Sequence, residues 1–587
     1  MGNLRNRIIA KIRQRLSLYQ LMFIREPDIS ITTLDCVDLT KCTIAAEFEI
    51  VIFGKKIDYN TINWHCDYNS GYCYPAQKRF DKIKINKLFN KGIDVIFAWE
   101  LSRFNFGIDL ALFYHQSNDL NYYDLFKKLT TNWLENNPFL KGVNWICAMD
   151  VALRASNWIV AANMFDDIFW KDKTFVHKLS KSLYHHACYI EKFQGEYLSA
   201  GNNHLISINS SLFILALSFT KIKKGNQWFQ IAKTNLELCM ENLVFNDGVY
   251  FENAIPYHRL ALELFSIPVI LSRNFNLAFS TDYYIKLFKM VEFVSAYIDS
   301  KGNAPLIGDN DSGKFLKLSH GEEQNHQYLL ELGQQIFEYN FKTDNASQDL
   351  IPIFKKNRNK INLSRTGINP RECNHSIFFT DGGFYFLKNA LFSISVFCPT
   401  TNVGGHRHFD AGSFTLSHKG KPIVVDPGTG VYTSNIQTRR RFRDYSSHNI
   451  YYREKQNVNN NAYFGINDDL DVKIVHFSEN KLIVMTNFEN DLSVERQFIL
   501  NEQSFHIHDT IHGDNQKLFS AIHLSEKETG EIINKCLRVG ELEIEIDGAK
   551  GISKEHYLYS PSYSILLERE KIVIQPDHMV KINFISK

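Results

Sequence analysis

Gly404-Gly405-His406-Arg407-His408-Phe409-Asp410 places two histidines and an aspartate at every second position, in a region that reads as strand. Alternation at period two puts all three side chains on one face of an extended chain. Asp426 follows in Val424-Val425-Asp426-Pro427-Gly428, and His448 in Ser446-Ser447-His448-Asn449. Imidazole nitrogens and a carboxylate gathered from adjacent strands hold a divalent metal well, and a further histidine beside them can move protons. The same pattern also fits unrelated surface histidines in a chain that carries 21 of them.

Three more clusters lie upstream. Ser199-Ala200-Gly201-Asn202-Asn203-His204 opens a helical stretch. Polar side chains and unpaired N–H groups at a helix start suit an anion, or simply cap the helix. Asp247 to Arg259 contains Tyr257-His258-Arg259 just after Pro256, which presents a phenol beside cations at the head of a helix, or an aromatic for packing. Leu306-Ile307-Gly308-Asp309-Asn310-Asp311-Ser312-Gly313 resembles a calcium loop but lacks the twelve-residue ligand spacing and the terminal Glu, so it reads as a structural turn.

These residues need a scaffold. From about 83 to 340 the apolar period is helical, with short polar or Gly-containing connections. Many helices on short links form antiparallel hairpins that can close into a ring with loops at one mouth. Lys342 to Arg358 is polar and reads as an interdomain linker. Beyond 375 the pattern is dense alternating strand without helices, which predicts antiparallel sheets packed as a sandwich. The expected division is 1–80 mixed, 81–345 helical and 346–587 β.

A chain of 587 residues exceeds one core. Its 44% hydrophobic and 22% charged content is that of a globular protein, and a formal net charge of +2 argues against a dedicated nucleic-acid binder. An anionic substrate is still compatible, because local clusters steer ligands. The ten cysteines form no CxxC pair; Cys66 and Cys73 could be bridged, but reduced thiols are the simpler reading. Met1 to Phe23 fits a basic amphipathic helix that packs on the protein or rests on an anionic membrane surface. It does not read as a secretory signal, which favours a cytoplasmic or membrane-proximal location over secretion.

In their order, these clusters resemble the heparinase II/III family of polysaccharide lyases and its alginate-lyase relatives. The likeness runs from about Trp64 to His448. Trp99-Glu100-Leu101-Ser102-Arg103 is similar to the family's Trp-Glu-Leu-x-Arg element, and Trp145 to Trp158, with Arg154, to the helix after it. Asn202-Asn203-His204, Asp247 to Arg259, Gly308-Asp309, Gly405 to Asp410, Val425 to Thr429 and Arg443 to Asn449 follow in the family's order. The resemblance implies an incomplete (α/α) toroid followed by an antiparallel β-sandwich, in agreement with the periodicities above. It implies β-elimination at a uronic acid, in which the C5 proton is removed and the 4-linked sugar expelled. Asn203 and His204 match the pair that neutralises the substrate carboxylate, Tyr257 the catalytic tyrosine and His406 the catalytic histidine. His258, Arg259, Arg443, Trp99 and Arg154 are expected to contact the anionic polysaccharide, and positive charge from His258, Arg259 or Arg443 is what Tyr257 would need to act as a base near neutrality. His408, Asp426 and His448 match ligands of a structural zinc, which leaves Asp410 as a hydrogen-bond partner.

Ile208 and Asn209 stand where family members usually carry a Glu. That departure supports an alternative: a catalytically altered relative that binds or processes a bacterial surface polysaccharide during its assembly. A glycoside hydrolase would need two placed carboxylates, for which Glu252 and Asp309 are the nearest candidates and form no convincing pair.

Overall fold

The computed structural model describes residues 16–24, 27, 29–34, 48–194, 201–273, 275, 277–341, 350–351, 353–354, 360–371, 375–399, 404–454, 464, 470–489, 491–526 and 531–587. Its helical half comprises α1 (Val95–Arg103), α2 (Phe106–Ser117), α3 (Asn121–Asn136), α4 (Ala148–Met164), α5 (Asp167–Lys171), α6 (Lys173–Phe193), α7 (Asn203–Ser218), α8 (Lys223–Leu243), α9 (Ile255–Arg273), α10 (Thr281–Tyr297) and α11 (Gln327–Ile336). Helices α2, α4, α7, α9 and α11 pack side by side, and α3, α6, α8 and α10 cover them. The two layers have different sequences for this reason. In α8 the buried residues Trp228, Ala232, Leu236, Cys239 and Leu243 recur at helical spacing, leaving one face polar. In α4 every residue is buried, so most of its sequence is apolar or small on all sides, with Asp150, Arg154, Asn157 and Asn163 enclosed among them. The result is an incomplete (α/α) toroid.

Pro268 lies inside α9. Its missing N–H leaves the carbonyl of Leu264, one turn back, without its usual partner. The Ser210 hydroxyl on α7 donates to that carbonyl at 2.7 Å, which ties the two inner helices together.

Two antiparallel sheets follow. Strands β3 (Ile377–Phe379), β4 (Phe384–Lys388), β5 (Phe392–Phe397), β6 (Ser413–His418) and β7 (Lys421–Val424) pair in sequence order, after a small hairpin of β1 (Ile50–Ile52) and β2 (Lys55–Ile57) near the N-terminus. The larger sheet contains β8 (Tyr451–Arg453), β9 (Asp471–Phe477), β10 (Lys481–Asn487), β11 (Ser493–Leu500), β12 (Ser504–His512), β13 (Leu518–His523), β14 (Cys536–Val539), β15 (Leu542–Tyr559) and β16 (Leu567–Ser586). Its main path is β14-β15-β16-β12-β11-β10-β9, with β13 joining β16 to β8. Between β7 and β8 lies a short helix, α12 (Ile436–Arg443).

The five-stranded sheet is a middle layer. Phe384 and Phe386 face the toroid, where the Phe293 ring of α10 lies 5.1 and 5.9 Å from them. Tyr385 and Leu387, one step along the strand, join the core shared with Phe498, Phe505 and Phe584 of the larger sheet. A strand covered on both faces loses its alternation, so β4 is buried at four successive positions whereas β11 alternates strictly.

Two expectations need correction or restriction. Cys66 and Cys73 are joined by a disulfide rather than reduced, because an isolated antiparallel bridge sets their Cα atoms 4.0 Å apart. Cys147, Cys188, Cys239, Cys398 and Cys536 are free thiols, and Cys36, Cys42 and Cys373 lie outside the described residues. Of the N-terminal amphipathic segment, residues 16–22 are helical, with Leu18 and Leu21 packed on the toroid core; the rest, like most of the Lys342–Arg358 linker, lies outside the described residues. Among the described residues no helix is long and apolar enough to cross a membrane.

Replacing Ser210 by Ala would strip the Leu264 carbonyl of its partner. A buried unpaired carbonyl costs about 1–3 kcal/mol, so Ser210→Ala should lower unfolding stability by that amount in urea titration. An unchanged midpoint would show that the α7–α9 hydrogen bond carries no weight.

Candidate active site at the toroid–sandwich seam

Gly308 brings the two halves into contact. Its φ is +79°, and a Cβ there would stand 2.6 Å from Ala254 Cβ and 3.1 Å from the His406 carbonyl. Only glycine tolerates both the backbone conformation and the approach. The next residue, Asp309, donates its N–H to the His406 carbonyl at 2.9 Å.

The Asp309 carboxylate is fully buried and is the centre of the site. His406 Nδ1 lies 3.0 Å from Oδ2, and His408 Nε2 lies 2.7 Å from Oδ1. Arg439 of α12 pairs with both oxygens, its Nη2 at 2.6 Å from Oδ2. Burial alone would raise this carboxyl, but Arg439 and the two histidines outweigh it and hold Asp309 well below the usual carboxylate range. The turn between Leu306 and Gly313 is therefore part of the site and not only a structural turn. His406 to Asp410 is irregular loop and not strand, since β6 begins at Ser413. The every-second-position spacing still turns His406 and His408 to one carboxylate.

Tyr257 stands in the first turn of α9 and stacks on His406, ring centroids 3.6 Å apart and planes within 15°. Its hydroxyl lies 3.0 Å from the hydroxyl of Tyr432. Burial, and then Asp311 and Asp309, push the Tyr257 phenol well above its ordinary value, so it rests protonated. Burial pulls His406 down, but Glu252 and Asp309 outweigh it and the imidazole is more basic than usual. With Nδ1 donating to ionised Asp309, the Nε2 of the neutral ring is a lone pair, 3.9 Å from Glu252 Oε1.

Asn203 and His204 open α7, capped by the Asn202 side chain, which accepts from the His204 N–H at 3.1 Å. The Asn203 amide donates to Glu252 Oε2 at 2.9 Å. Burial lowers His204 to about 4, so it is neutral. Arg103 closes the neighbouring wall, donating to Asp150 at 2.7 Å and to Glu100 at 2.6 Å.

Behind Asp309, the ligand atoms of His408, Asp426 and His448 lie within 4.8 Å of one another. All three residues are buried, and His408 Nδ1 and His448 Nε2 have no hydrogen-bond partner. Because His408 donates through Nε2 to Asp309, its Nδ1 is a bare lone pair. Two imidazoles and a carboxylate with unsatisfied nitrogens are a donor set that fits zinc, and the His408–Asp309 bond is the kind of outer contact that orients such a ligand.

The expected substrate cations are placed differently. His258 has both ring nitrogens engaged, Nδ1 accepting from the Tyr250 N–H at 3.2 Å and Nε2 beside the Met290 carbonyl at 3.1 Å. Arg259 donates to the Gly313 carbonyl at 2.7 Å and sits against Glu263. Arg154 lies over the Trp133 ring at 4.1 Å and donates to His186. Arg443 donates to the Arg407 carbonyl at 3.3 Å. All four are buried, because a helix start or a loop between packed layers has two sides and the sequence does not say which residues turn inward. Trp99 is half-buried, its indole N–H donating to the Val143 carbonyl at 3.1 Å. The groups charging the surroundings of Tyr257 are thus carboxylates. Arg439 and Tyr432 escape sequence reasoning: Arg439 lies in an arginine-rich run, Arg439 to Arg443, that gives no hint of which member points inward.

The chain matches the family models for the heparinase II/III N-terminus over residues 10–325 and the heparinase II/III-like C-terminal region over residues 373–533. It is 23% identical over 376 residues to a heparin-sulfate lyase of Pedobacter heparinus, an alignment covering 61% of this chain and 52% of that protein, so the chain spans about half the length of this curated relative. The fold is similar to the crystal structure of a heparinase III (TM-score 0.62, 18% identity, 83% of this chain and 76% of the other). It is also similar to a mutant heparan sulfate lyase from Pedobacter heparinus (TM-score 0.57, 17% identity, 98% and 83%).

Removing one partner of a buried ion pair typically costs about 3–5 kcal/mol. Asp309→Asn leaves Arg439 buried without its counter-charge, so its unfolding free energy in denaturant should fall by that amount; a loss below about 1 kcal/mol would contradict the central position given to this carboxylate.

Proposed function

Because the chain belongs to the heparinase II/III family, we propose that it is a polysaccharide lyase that cleaves a uronic-acid-containing glycan by β-elimination. The observation that carries this reading is the stacked Tyr257–His406 pair beside Asn203 and His204, with the phenol held protonated and the imidazole more basic than usual. His406 Nε2 takes the C5 proton, and Asp309 stabilises the imidazolium that forms. The C4–O4 bond breaks as C4=C5 forms, and the Tyr257 hydroxyl gives its proton to the departing oxygen. Tyr432, 3.0 Å away, steadies the phenolate until a proton returns to it. As the carbanion develops, its negative charge spreads onto the α-carboxylate, which calls for donors at that carboxylate. Asn203 and neutral His204 are suited to this; an amide nitrogen has two hydrogens, of which Glu252 takes one.

Zinc held by His408, Asp426 and His448 would supply fixed positive charge and a brace for the loop that carries His406. The protein's own residues perform each proton transfer.

The alternative of an altered relative acting in surface-polysaccharide assembly draws on Ile208 and Asn209, both fully buried and neither acidic. Glu252 nevertheless sets a carboxylate beside Asn203, which favours the lyase reading.

Incubation with uronate polysaccharides should raise the ultraviolet absorbance of an unsaturated product, and Tyr257→Phe should lower the rate at least a hundredfold, a size typical for one proton-transfer group. If no uronate polymer yields an unsaturated end, elimination is the wrong chemistry. Elemental analysis of purified protein should find about one zinc per chain, and His408→Ala should lose it with a drop in melting temperature; a metal-free preparation of equal stability would exclude the zinc assignment.

A further inference from the structure

The N-terminal helical residues turn two apolar faces in opposite directions. Over residues 16–22, Leu18 and Leu21 are buried in the toroid core. Leu16, Tyr19 and Phe23 stand on the other side, at the i, i+3, i+7 spacing of a single helix face. They are 57%, 64% and 66% exposed, and Met22 beside them is 53% exposed. The Tyr19 and Phe23 rings lie 4.9 Å apart. Large exposed apolar side chains scattered singly are ordinary. Elsewhere among the described residues they occur singly, or as the pair Val475 and Phe477. Four within eight residues form a patch, and an exposed apolar patch is the mark of an interaction surface.

The surroundings of this patch are basic. Arg5, Arg7, Lys11, Arg13, Arg15 and Arg25 all precede the first acidic residue of the chain, Glu26. The helical residues lie against the end of α6, where Ser17 Oγ is 3.5 Å from the Lys192 carbonyl. They also meet the start of segment 78–91, where the Arg79 guanidinium is 3.9 Å from Met22 Sδ. That segment sets Lys78, Arg79, Lys82, Lys84, Lys87 and Lys91 against one carboxylate, Asp81, which Arg79 and Lys82 share. All five lysines are exposed. In the last turn of α6, Glu191 pairs with Lys224 at 3.1 Å and Lys192 is its neighbour. With both carboxylates counted, positive charge exceeds negative in each segment beside the patch. The basic segment continues to the catalytic seam, where the N–H groups of Asn90 and Gly92 donate to the carbonyls of Thr433 and Ser434 at 2.7 and 2.9 Å.

Exposed Leu, Met, Tyr and Phe side chains ringed by Lys and Arg match a bilayer that contains anionic lipid. Such a surface takes apolar side chains at the acyl boundary, holds aromatic rings at headgroup level and attracts the cations. A second copy of this chain is a poorer match, because a two-fold contact through the patch would bring two basic segments together.

We propose that this face docks the protein peripherally on an anionic lipid surface, with Leu16, Tyr19, Met22 and Phe23 inserted among the headgroups and the lysines of segment 78–91 lying over them. The side chains that hold the helix to the protein, Leu18 and Leu21, are then distinct from those that meet the lipid.

The test is flotation of the full chain with vesicles of phosphatidylcholine alone and of phosphatidylcholine mixed with phosphatidylglycerol. No step involves elimination, so the outcome is independent of the lyase reading. The mixed vesicles should carry about tenfold more protein than the neutral ones, and added salt should release it, because screening weakens the attraction. Tyr19→Ser/Phe23→Ser should lower binding about tenfold at an unchanged melting temperature. Phe23→Ser alone, a single exposed change, should show part of that loss if the pair disturbs folding. Equal binding to both kinds of vesicle, binding that survives the serine variants, or no flotation at all would overturn the proposal. So would a chain that self-associates through this face instead of floating.

Discussion

One buried carboxylate holds the two halves of this protein in register. Asp309 belongs to the toroid by sequence, yet its partners, His406, His408 and Arg439, all belong to the sandwich. A charge taken out of water must be compensated locally or it neutralises itself. Arg439 provides the charge, and the two imidazoles fill the remaining acceptor positions. The halves therefore cannot shift against each other near this point without exposing an uncompensated ion. His406 and His408 are oriented by opposite oxygens of the same group, so the tautomer of each follows from one ionisation state.

The middle sheet makes that contact feasible. Because β4 and β5 are covered on both faces, the toroid and the larger sheet share a partition rather than meeting through a linker. Loops leaving this partition, at His406 to Asp410 and between β7 and α12, run along the seam where α7 and α9 begin. Helix starts carry polar side chains and free N–H groups, and loops carry the histidines, so the chemistry collects where these two kinds of chain end meet. Neither half contains the site alone: Tyr257 and Asn203 come from the toroid, His406 and Tyr432 from the sandwich.

The electrostatics of the seam are acidic near the phenol and basic one helix turn away. Asp311, Asp309 and Glu252 hold Tyr257 protonated and raise His406. The same carboxylates favour the protonated form of both groups. On α12 Arg439 faces inward, and Arg440 and Arg441 face solvent. A short helix with consecutive arginines thus serves the interior with one member and the surface with the next two.

Much of this was legible in the residues alone. Helical periodicity to about 340 and strand alternation beyond 375 identify the two layers, since an element's period follows directly from backbone geometry. The spacing of His406 and His408 indicates a shared face even though the segment is loop. What the sequence could not assign was direction and partnership. Tyr257, His258 and Arg259 are consecutive, and only packing decides that the tyrosine turns to the seam while the other two turn into the toroid. Asp309 reads as a turn residue because its three partners lie 97 to 130 positions away. Cys66 and Cys73 leave a bridge and two thiols both open until the chain folds back between them. Local order is written in nearest neighbours along the chain; the identity of a buried charge's counter-ion is a property of space, and only the tertiary structure determines it.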